Sequence, residues 1–285
     1  MILYIMNIKE CIKIALHEDL PSIDVTSNLL LNNQRHAKAQ IISKAHGIFF
    51  GAPIIDAINQ MNPLISCELL VNDGDTIVPN DVCVSITGDL RTIVEIERTL
   101  LNFIQRLSGI STITSQFVAA LNDPTIDILD TRKTTPLLRE LEKQAVCAGG
   151  GKNHRFGLHD MVLVKENHLY LYSEEFGMAS FNEKIKHHKI SEPKMLIEVE
   201  VSSLELLQQL DLNVIDIVMF DNMPFEELHR CIDFVNQHPK KPLKEVSGNI
   251  RLDTISMYRG IDIERISIGS LTHSVNALDL SLLVV

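Results

Sequence analysis

Six short apolar runs after residue 120, rich in β-branched residues, each lead into a polar residue or a glycine. The runs are Thr125–Leu129, Met161–Val164, Lys194–Val199, Ile215–Phe220, Leu243–Val246 and Ile266–Ile268, and the residues that follow them are Asp130, Lys165, Glu200, Asp221, Ser247 and Gly269. Helical spacing separates most of the runs, notably in Ser203–Leu210, Pro224–Gln237 and Leu252–Tyr258. This alternation predicts a parallel sheet or barrel with helices outside it. In such folds the carboxyl ends of the strands face the ligand.

The first hundred residues have a different pattern. Ile8–His17 has the spacing of an amphipathic helix, and weakly alternating strands follow with turn residues between them. These features predict an α+β region with an antiparallel sheet. Apolar spacing then predicts a helix over Leu90–Leu107, a break at Ser108-Gly109 and a second helix over Thr112–Leu121. The predicted domains are residues 1–110 and 111–274.

Charge narrows the range of partners. A net charge of −11 argues against nucleic acid, whose phosphates favour clustered basic residues. Between Arg132 and Arg155, however, there are six basic and only two acidic residues. This local excess predicts a compact site for a small polyanion.

The cysteines and the apolar segments indicate the compartment. Five scattered cysteines without a Cys-x-x-Cys pair make a disulfide framework improbable. Met1–Met6 is apolar but shorter than the core of a signal peptide, and the chain has no membrane-spanning run. We therefore expect a cytoplasmic protein that binds neither a membrane nor nucleic acid.

Two basic segments are candidate anion sites. Asp130-Thr-Arg-Lys-Thr-Thr-Pro136 offers adjacent cations and hydroxyl groups, and Gly149-Gly-Gly-Lys-Asn-His-Arg155 offers backbone amides and directed donors. Lys165 ends an apolar strand, where a lysine needs an anionic partner. The structural alternatives are a solvated loop, a flexible glycine turn and a buried ion pair, respectively.

Carboxylates also occur at the predicted strand ends. Glu198 and Glu200 are two residues apart on one strand, so they share a face, and Asp221 ends the next strand. Carboxylates opposite a cationic cluster suit Mg²⁺ or a cationic transition state. For Glu198 the alternative is that it faces a helix and pairs with a lysine. Asn222 is predicted to cap the helix that follows.

The last two predicted strands are followed by glycine turns. These are Val246-Ser-Gly-Asn249 and Ile268-Gly-Ser-Leu-Thr-His273. In α/β barrels, loops at these positions commonly bind phosphate through backbone amides. Gly248, Gly269 and Ser270 are therefore candidate phosphate ligands.

Together these motifs closely resemble the quinolinate phosphoribosyltransferase family, in order and over nearly the whole chain. Glu97-Arg-Thr-Leu-Leu-Asn102 and Leu107-Ser-Gly-Ile-Ser-Thr112 are also similar to that family. The resemblance implies an α/β protein of the type II phosphoribosyltransferase class. In it an N-terminal α+β sandwich domain precedes an incomplete, TIM-like α/β barrel, and the tail, residues 275–285, returns to the first domain. It implies transfer of phosphoribosyl from phosphoribosyl pyrophosphate to quinolinate with Mg²⁺, giving nicotinate mononucleotide, pyrophosphate and CO₂.

The resemblance also assigns roles to individual residues. Arg132, His154, Arg155 and Lys165 would hold quinolinate, and Lys133 and Lys165 would lie near the diphosphate. Glu200 and Asp221 would hold Mg²⁺ and the ribose hydroxyls and stabilise an oxocarbenium-like centre. The implied 5′-phosphate and substrate ligands near the last two strands are Ser247, Gly248, Asn249, Gly269, Ser270 and His273.

Arg98 is similar to the family arginine that reaches the partner subunit's site, which implies an obligate homodimer and leaves higher assembly open. The alternative for Arg98 is a surface pair with Glu95.

Two loop positions depart from the family pattern. Asn249 and Leu137 stand where glycine is common in the family. These residues put the geometry of the phosphate loops in question, although neither is a charged ligand.

Two other functions remain open from the sequence. A related family associated with molybdenum transport shares the fold and part of the motifs, but the full cation set favours quinolinate. A non-catalytic sensor of a phosphorylated metabolite is the other alternative. The carboxylates Glu200 and Asp221 argue against a sensor, because a pure anion binder gains nothing from them without a metal.

Overall fold

The computed structural model describes residues 7–31 and 35–285, so the segment Met1–Met6 lies outside it. The helices and strands follow in the order α1 Ile8–Asp19, α2 Val25–Leu30, β1 His36–Ser43, β2 Gly47–Ile48, α3 Ala52–Met61, β3 Ile65–Leu69, β4 Thr76–Ile77, β5 Val82–Asp89, α4 Leu90–Leu121, β6 Asp127–Leu129, α5 Arg139–Ala148, β7 Val162–Val164, α6 Glu166–Ser191, β8 Ile197–Val201, α7 Leu204–Leu207, β9 Ile217–Asp221, α8 Phe225–Gln237, β10 Leu243–Ser247, β11 Arg265–Ser267, α9 Ser270–His273 and β12 Leu280–Val284. A short 3₁₀ helix, Ile255–Tyr258, precedes β11.

The contacts divide the chain into two compact units. The first comprises Met1–Gln116, Lys133–Gly151 and Ser270–Val285, and the second comprises Phe117–Arg132 and Lys152–Gly269. Among the described residues, no helix is both long and apolar enough to cross a membrane.

The first unit contains an antiparallel sheet in the order β12-β1-β5-β3, beside the small pair β2-β4. In β1 the buried and accessible side chains alternate, which places Ala39 and Ile41 in the core. Ile41 lies opposite Leu282 of β12 and Val84 of β5. The C-terminal strand is therefore part of the N-terminal sheet.

Helix α4 corrects the predicted break at Ser108-Gly109, because it runs without interruption from Leu90 to Leu121. The Ser108 hydroxyl is buried and accepts the Phe50 N–H at 3.0 Å. A Cβ at Gly109 would lie 2.3 Å from the carbonyl oxygen of Asn276. The glycine thus permits close packing of the chain against the helix, and it does not end the helix.

The second unit is built on a parallel sheet in the order β6-β11-β10-β9-β8-β7. The central strands β8 and β9 are buried along most of their length, as expected of strands covered on both faces. β6 and β7 form the two edges of this described sheet, so the sheet is open between them. Every predicted run of this half overlaps a strand, with ends shifted by up to three residues.

Candidate active site

The predicted strand-end residues lie at one edge of the parallel sheet. Ser247 is in register with Asp221 on one side and with Ser267 on the other. Lys165 directly follows β7, and Glu200 is the penultimate residue of β8, which continues past the predicted end. Because neighbouring parallel strands end together, these side chains share the carboxyl edge of the sheet.

Glu200 and Asp221 are the carboxylates of this edge. Burial raises the pKa of Glu200, and the charge of Asp221 raises it further, whereas Lys165 and the amide of Glu166 lower it. These interactions show that Glu200, Asp221 and Lys165 lie close enough to act on one another. Two neighbouring carboxylates whose mutual repulsion is only partly relieved by a lysine suit a divalent cation with oxygen ligands.

The turn after β10 is tied to Asp221 through Asn222. The Asn249 side-chain amide donates to Asn222 Oδ1 at 2.8 Å, and the Asn222 amide donates to Asp221 Oδ2 at 2.7 Å. The predicted capping role of Asn222 is wrong, because Pro224 occupies the cap position and Asn222 has a φ of +52°. Asn222 instead couples a candidate metal ligand to the candidate phosphate turn.

Positive φ explains the two departures from the glycine pattern. Asn249 has a φ of +52° and Leu137 a φ of +70°, a region that glycine adopts without strain. Asparagine adopts this conformation at little cost, whereas an aliphatic residue is strained in it. Asn249 therefore keeps the turn geometry, and Leu137 keeps it at a cost.

His154 lies deeper than the strand-end residues, in a buried cluster with two carboxylates. Its Nε2 is 3.1 Å from Glu198 Oε2 and 3.3 Å from Glu245 Oε1, and both glutamate side chains are fully buried. Arg265 Nε lies 3.5 Å from the other oxygen of Glu245. The alternative that Glu198 faces a helix and pairs with a lysine is therefore wrong.

The protonation of this cluster follows from two observations that point in different directions. Burial lowers the pKa of His154, but the polar contacts with Glu198 and Glu245 and the charges of these residues outweigh it and raise that pKa to about 9. Yet the Arg155 N–H donates to His154 Nδ1 at 2.7 Å, so Nδ1 carries no proton. Burial and Glu245 also raise the pKa of Glu198. We conclude that the cluster as a whole holds an additional proton, which Nδ1 of His154 does not carry.

Arg155 lies close enough to Arg132 and to Glu198 of this cluster to experience the charges of both. Burial lowers the pKa of Arg155, and the charge of Arg132 lowers it further, whereas Glu198 and Asp160 raise it. One guanidinium nitrogen of Arg155 donates to the Met161 carbonyl at 3.0 Å, and its buried Nε has no hydrogen-bond partner among the described residues. Two arginines this close together favour an anion with more than one negative group.

Four predicted site residues belong to the first unit. The Arg98 side chain is 61% exposed and lies 3.9 Å from Glu97, while Glu95 instead experiences the charge of Arg91. The Lys133 carbonyl accepts the Thr272 hydroxyl at 2.8 Å. Ser270 begins α9, and His273 Nδ1 contacts the Ser274 hydroxyl. The alternative pairing of Arg98 with Glu95 is thus absent among the described contacts.

Two functional features were not predicted from the sequence, Glu245 and the bridging role of Asn222. Glu245 lies two residues before Ser247 in a strand, as Glu198 lies two residues before Glu200. Glu245 could have been recognised as a glutamate within an otherwise apolar strand, on the same face as the site residue two positions later. No comparable sign marks Asn222, whose role depends on the positive φ of the turn.

A parallel α/β sheet with cations and paired carboxylates at its carboxyl edge defines a protein that binds small polyanions. Two family models match the chain, the quinolinate phosphoribosyl transferase N-terminal domain over residues 24–108 and its C-terminal domain over residues 110–283. The chain belongs to the quinolinate phosphoribosyltransferase family. This membership confirms the predicted family and fold class.

Individual relatives match over nearly their full length. The probable nicotinate-nucleotide pyrophosphorylase (carboxylating) of Bacillus subtilis is 36% identical over 278 residues, 97% of this chain and 93% of that protein. The corresponding protein of Methanocaldococcus jannaschii is 36% identical and covers 96% of both chains. The structure of NadC from Streptococcus pyogenes superposes with a TM-score of 0.87 at 36% identity, covering 97% of this chain and 96% of that one.

Proposed function

We propose that the chain transfers phosphoribosyl from phosphoribosyl pyrophosphate to quinolinate with decarboxylation, a step of NAD biosynthesis. The products are nicotinate mononucleotide, pyrophosphate and CO₂. The observation that carries the proposal is the shared position of Lys165, Glu200, Asp221 and Ser247 at one sheet edge. Family membership and the names of the relatives support the same reaction.

The substrates fit the charges of the proposed site. Quinolinate carries two carboxylates, which suit the neighbouring guanidinium groups of Arg132 and Arg155 and the ammonium group of Lys165. His154 belongs to the resemblance-based set, but its two ring nitrogens contact Arg155 and the glutamates. The proposal therefore assigns direct carboxylate binding to the arginines and Lys165.

The 5′-phosphate is assigned to the turns after β10 and β11. Gly248 has a φ of +93°, which only glycine adopts readily and which leaves backbone amides open to an anion. Ser247, Asn249, Gly269, Ser270 and His273 complete the proposed set, and Lys133 is assigned to the diphosphate.

Mg²⁺ is part of the proposal, with Glu200 and Asp221 as the residues that would hold it. When bound, it would neutralise the charge of the departing pyrophosphate. The chain's own part is to place Glu200 near both Asp221 and Lys165 and to orient Asp221 through Asn222. The same carboxylates would stabilise positive charge that develops at the ribose carbon.

The proposed reaction needs little proton transfer by the protein. The pyridine nitrogen forms a bond to the ribose C1′ as the C1′–O bond to pyrophosphate breaks. The bond from C2 to its carboxylate then breaks, its electron pair stays on C2 next to the positively charged ring nitrogen, and CO₂ leaves. C2 finally takes up a proton. The contribution of the chain is positioning and electrostatic preorganisation.

A homodimer in which Arg98 completes the partner's site is also proposed. Its support is the exposed guanidinium group on α4, whose ion pair among the described residues is a long contact of 3.9 Å with Glu97. A cytoplasmic location belongs to the same proposal and rests on the unpaired spacing of the cysteines in the sequence.

Release of labelled CO₂ from the 2-carboxylate of quinolinate tests the reaction. We expect release only when phosphoribosyl pyrophosphate and Mg²⁺ are both present. A folded protein that releases no CO₂ under these conditions would show that the site serves a different base or only binds a ligand. Omission of Mg²⁺ separately tests the assignment of Glu200 and Asp221.

Subunit mixing tests the role of Arg98. Arg98→Ala and Lys165→Ala should each be inactive, but a mixture should recover part of the activity, because one site of each mixed dimer is then intact. Verified subunit exchange without recovery would refute the shared site.

A further inference from the structure

Both ring nitrogens of His154 are engaged inside the protein. The Arg155 N–H donates to Nδ1 at 2.7 Å, and Nε2 faces Glu198 and Glu245 at 3.1 and 3.3 Å. The side chain of His154 is only 6% exposed. His154 thus connects the backbone of the arginine that follows it to the two glutamates.

The segment that carries His154 is joined to the end of β6. The Lys152 N–H donates to the Ile128 carbonyl at 2.7 Å, and the His154 N–H donates to Asp130 Oδ1 at 2.9 Å. These bonds fix the start of the segment. The ring of His154 provides the corresponding attachment at Arg155.

The glutamates form a layer beneath the strand-end residues. Glu198 lies two residues before Glu200 on β8, and Glu245 lies two residues before Ser247 on β10. Because side chains of a strand alternate in direction, each glutamate shares the face of the site residue above it. Both glutamates are fully buried, so they cannot themselves reach a substrate in solution.

A metal ion is the main alternative occupant of this cluster. One ligand atom from each of the three residues can lie within 4.8 Å of the others. However, a ring whose Nδ1 accepts an N–H must carry its proton on Nε2, the atom that would have to bind the metal. Arg265, 3.5 Å from Glu245, adds a positive charge beside the same cluster. Both observations argue against a metal ion. The glutamate oxygens face Nε2 in polar contacts at 3.1 and 3.3 Å, which do not have the geometry of regular hydrogen bonds.

We propose that Glu198 and Glu245 are positioning residues, which hold the Nε2–H tautomer of His154 and thereby fix Arg155 for a substrate carboxylate. The consequence for catalysis rests on the proposed function, but the arrangement of His154 and Arg155 can be tested without a substrate.

A positioning role and a purely electrostatic role of the glutamates predict opposite changes in anion affinity when a glutamate is removed. If they act only as negative charges beneath the arginines, their removal leaves a more positive site and strengthens the binding of an anion. If they position His154, loss of the acceptor weakens binding, and a glutamine that retains an acceptor oxygen restores it. A displaced binding group lowers affinity and rate by on the order of tenfold to a hundredfold.

The experiment compares Glu245→Ala with Glu245→Gln. Hydrogen exchange of the Arg155 amide in the unliganded protein reports the His154 contact directly. Calorimetry with phthalate, which has two adjacent carboxylates but no ring nitrogen and cannot react, reports the anion site. We expect faster exchange and at least tenfold weaker binding in Glu245→Ala, and near-normal values in Glu245→Gln. In the kinetics, KM for quinolinate should rise in Glu245→Ala while KM for phosphoribosyl pyrophosphate changes little.

His154→Gln provides a second variant in case Glu245→Ala does not fold. Its amide can still donate to the glutamates, but the acceptor for the Arg155 N–H is lost, so exchange should again accelerate. The exposed Glu226→Gln is the control for loss of one negative charge.

Three results would overturn the inference. They are unchanged Arg155 exchange in both Glu245→Ala and His154→Gln, equally tighter phthalate binding in Glu245→Ala and Glu245→Gln, and a ¹⁵N spectrum that shows His154 protonated at Nδ1 instead of Nε2. A wild-type protein that shows the expected exchange pattern but binds no dicarboxylate would support the positioning role and refute the proposed function instead.

Discussion

Replacement of Gly248 by alanine tests the turn assigned to the 5′-phosphate. Gly248 has a φ of +93°, and an added Cβ would lie 2.3 Å from Asn222 Oδ1 and 2.6 Å from Asn222 Nδ2. Gly260 is a matched control, because it has a φ of +73° but no atom within 4 Å of an added Cβ. The two variants therefore share the backbone penalty and differ in the collision with Asn222.

The magnitude follows from these two contributions. An alanine in the left-handed region costs about 1–2 kcal/mol, and the reduced freedom of the unfolded chain returns about 0.4–1 kcal/mol. Gly260→Ala should therefore lose about 1 kcal/mol or less. In Gly248→Ala the Asn222 side chain must also move away from Asp221 and Asn249, its partners at 2.7 and 2.8 Å. Two exposed hydrogen bonds at about 0.5 kcal/mol each bring the expected loss to about 2 kcal/mol.

Urea unfolding measures the loss of stability, and calorimetry with Mg²⁺ measures the affinity for phosphoribosyl pyrophosphate. A displacement that costs binding 1.4 kcal/mol weakens it about tenfold, and we expect at least that for Gly248→Ala. Gly260→Ala should bind normally. Equal stability and equal affinity of the two variants would refute both the collision with Asn222 and the coupling of this turn to Asp221.

Three further predictions concern strain, a buried ion pair and pH. Leu137→Gly should stabilise the protein by about 0.5–1 kcal/mol in urea unfolding, because the exposed Leu137 has a φ of +70°; a loss of stability would contradict the strain. Glu142→Gln should destabilise it by about 1–3 kcal/mol, because the fully buried Glu142 pairs with the partly exposed Arg106 at 2.8 Å; the exposed Glu140→Gln should change little. The pKa of about 9 at His154 belongs to the cluster that it forms with Glu198 and Glu245, so the folded cluster binds a proton more tightly than the unfolded chain does. Its contribution is present below about pH 6.5 and lost by about pH 9, so the free energy of unfolding should fall across this window by at most about 3 kcal/mol, and less in Glu245→Gln.

The parallel sheet could be predicted from the sequence because the burial of each strand determines which residues occur next to one another along the chain. Strands buried on both faces must be apolar along their length, and β9, with Ile217–Phe220 almost wholly buried, shows this. The polar residue that ends such a run can also be recognised in the sequence, because it follows directly after a continuous apolar segment. Helix α6 had no such pattern, since only Leu169, Phe181 and Ile185 of its residues are buried and Gly177 interrupts its conformation.

The errors arose where contacts distant in sequence decide the structure. The chain near Asn276 approaches Gly109 closely, so the residue pair that predicted a break lies inside a continuous helix. Asn222 has the side chain of a helix cap, but the turn after β10 engages it instead. His154 has the donors of a substrate ligand, and only the positions of Glu198 and Glu245 show that both nitrogens are already engaged.

The burial of Glu198 and Glu245 beneath the arginines explains how the anion site can keep its arrangement when no anion is bound. Burial lowers the pKa of Arg155, the charge of Arg132 lowers it further, and Glu198 opposes both effects. A surface carboxylate could do the same, but it would be free to bind the guanidinium groups and compete with a substrate. A carboxylate fixed below them by His154 supplies the opposing charge and remains engaged elsewhere. Side chains two residues apart on a strand share a face, which places Glu198 and Glu245 directly beneath Glu200 and Ser247. The alternation that builds the sheet therefore separates the buried glutamates, which supply the opposing charge, from the strand-end residues that bind the substrate.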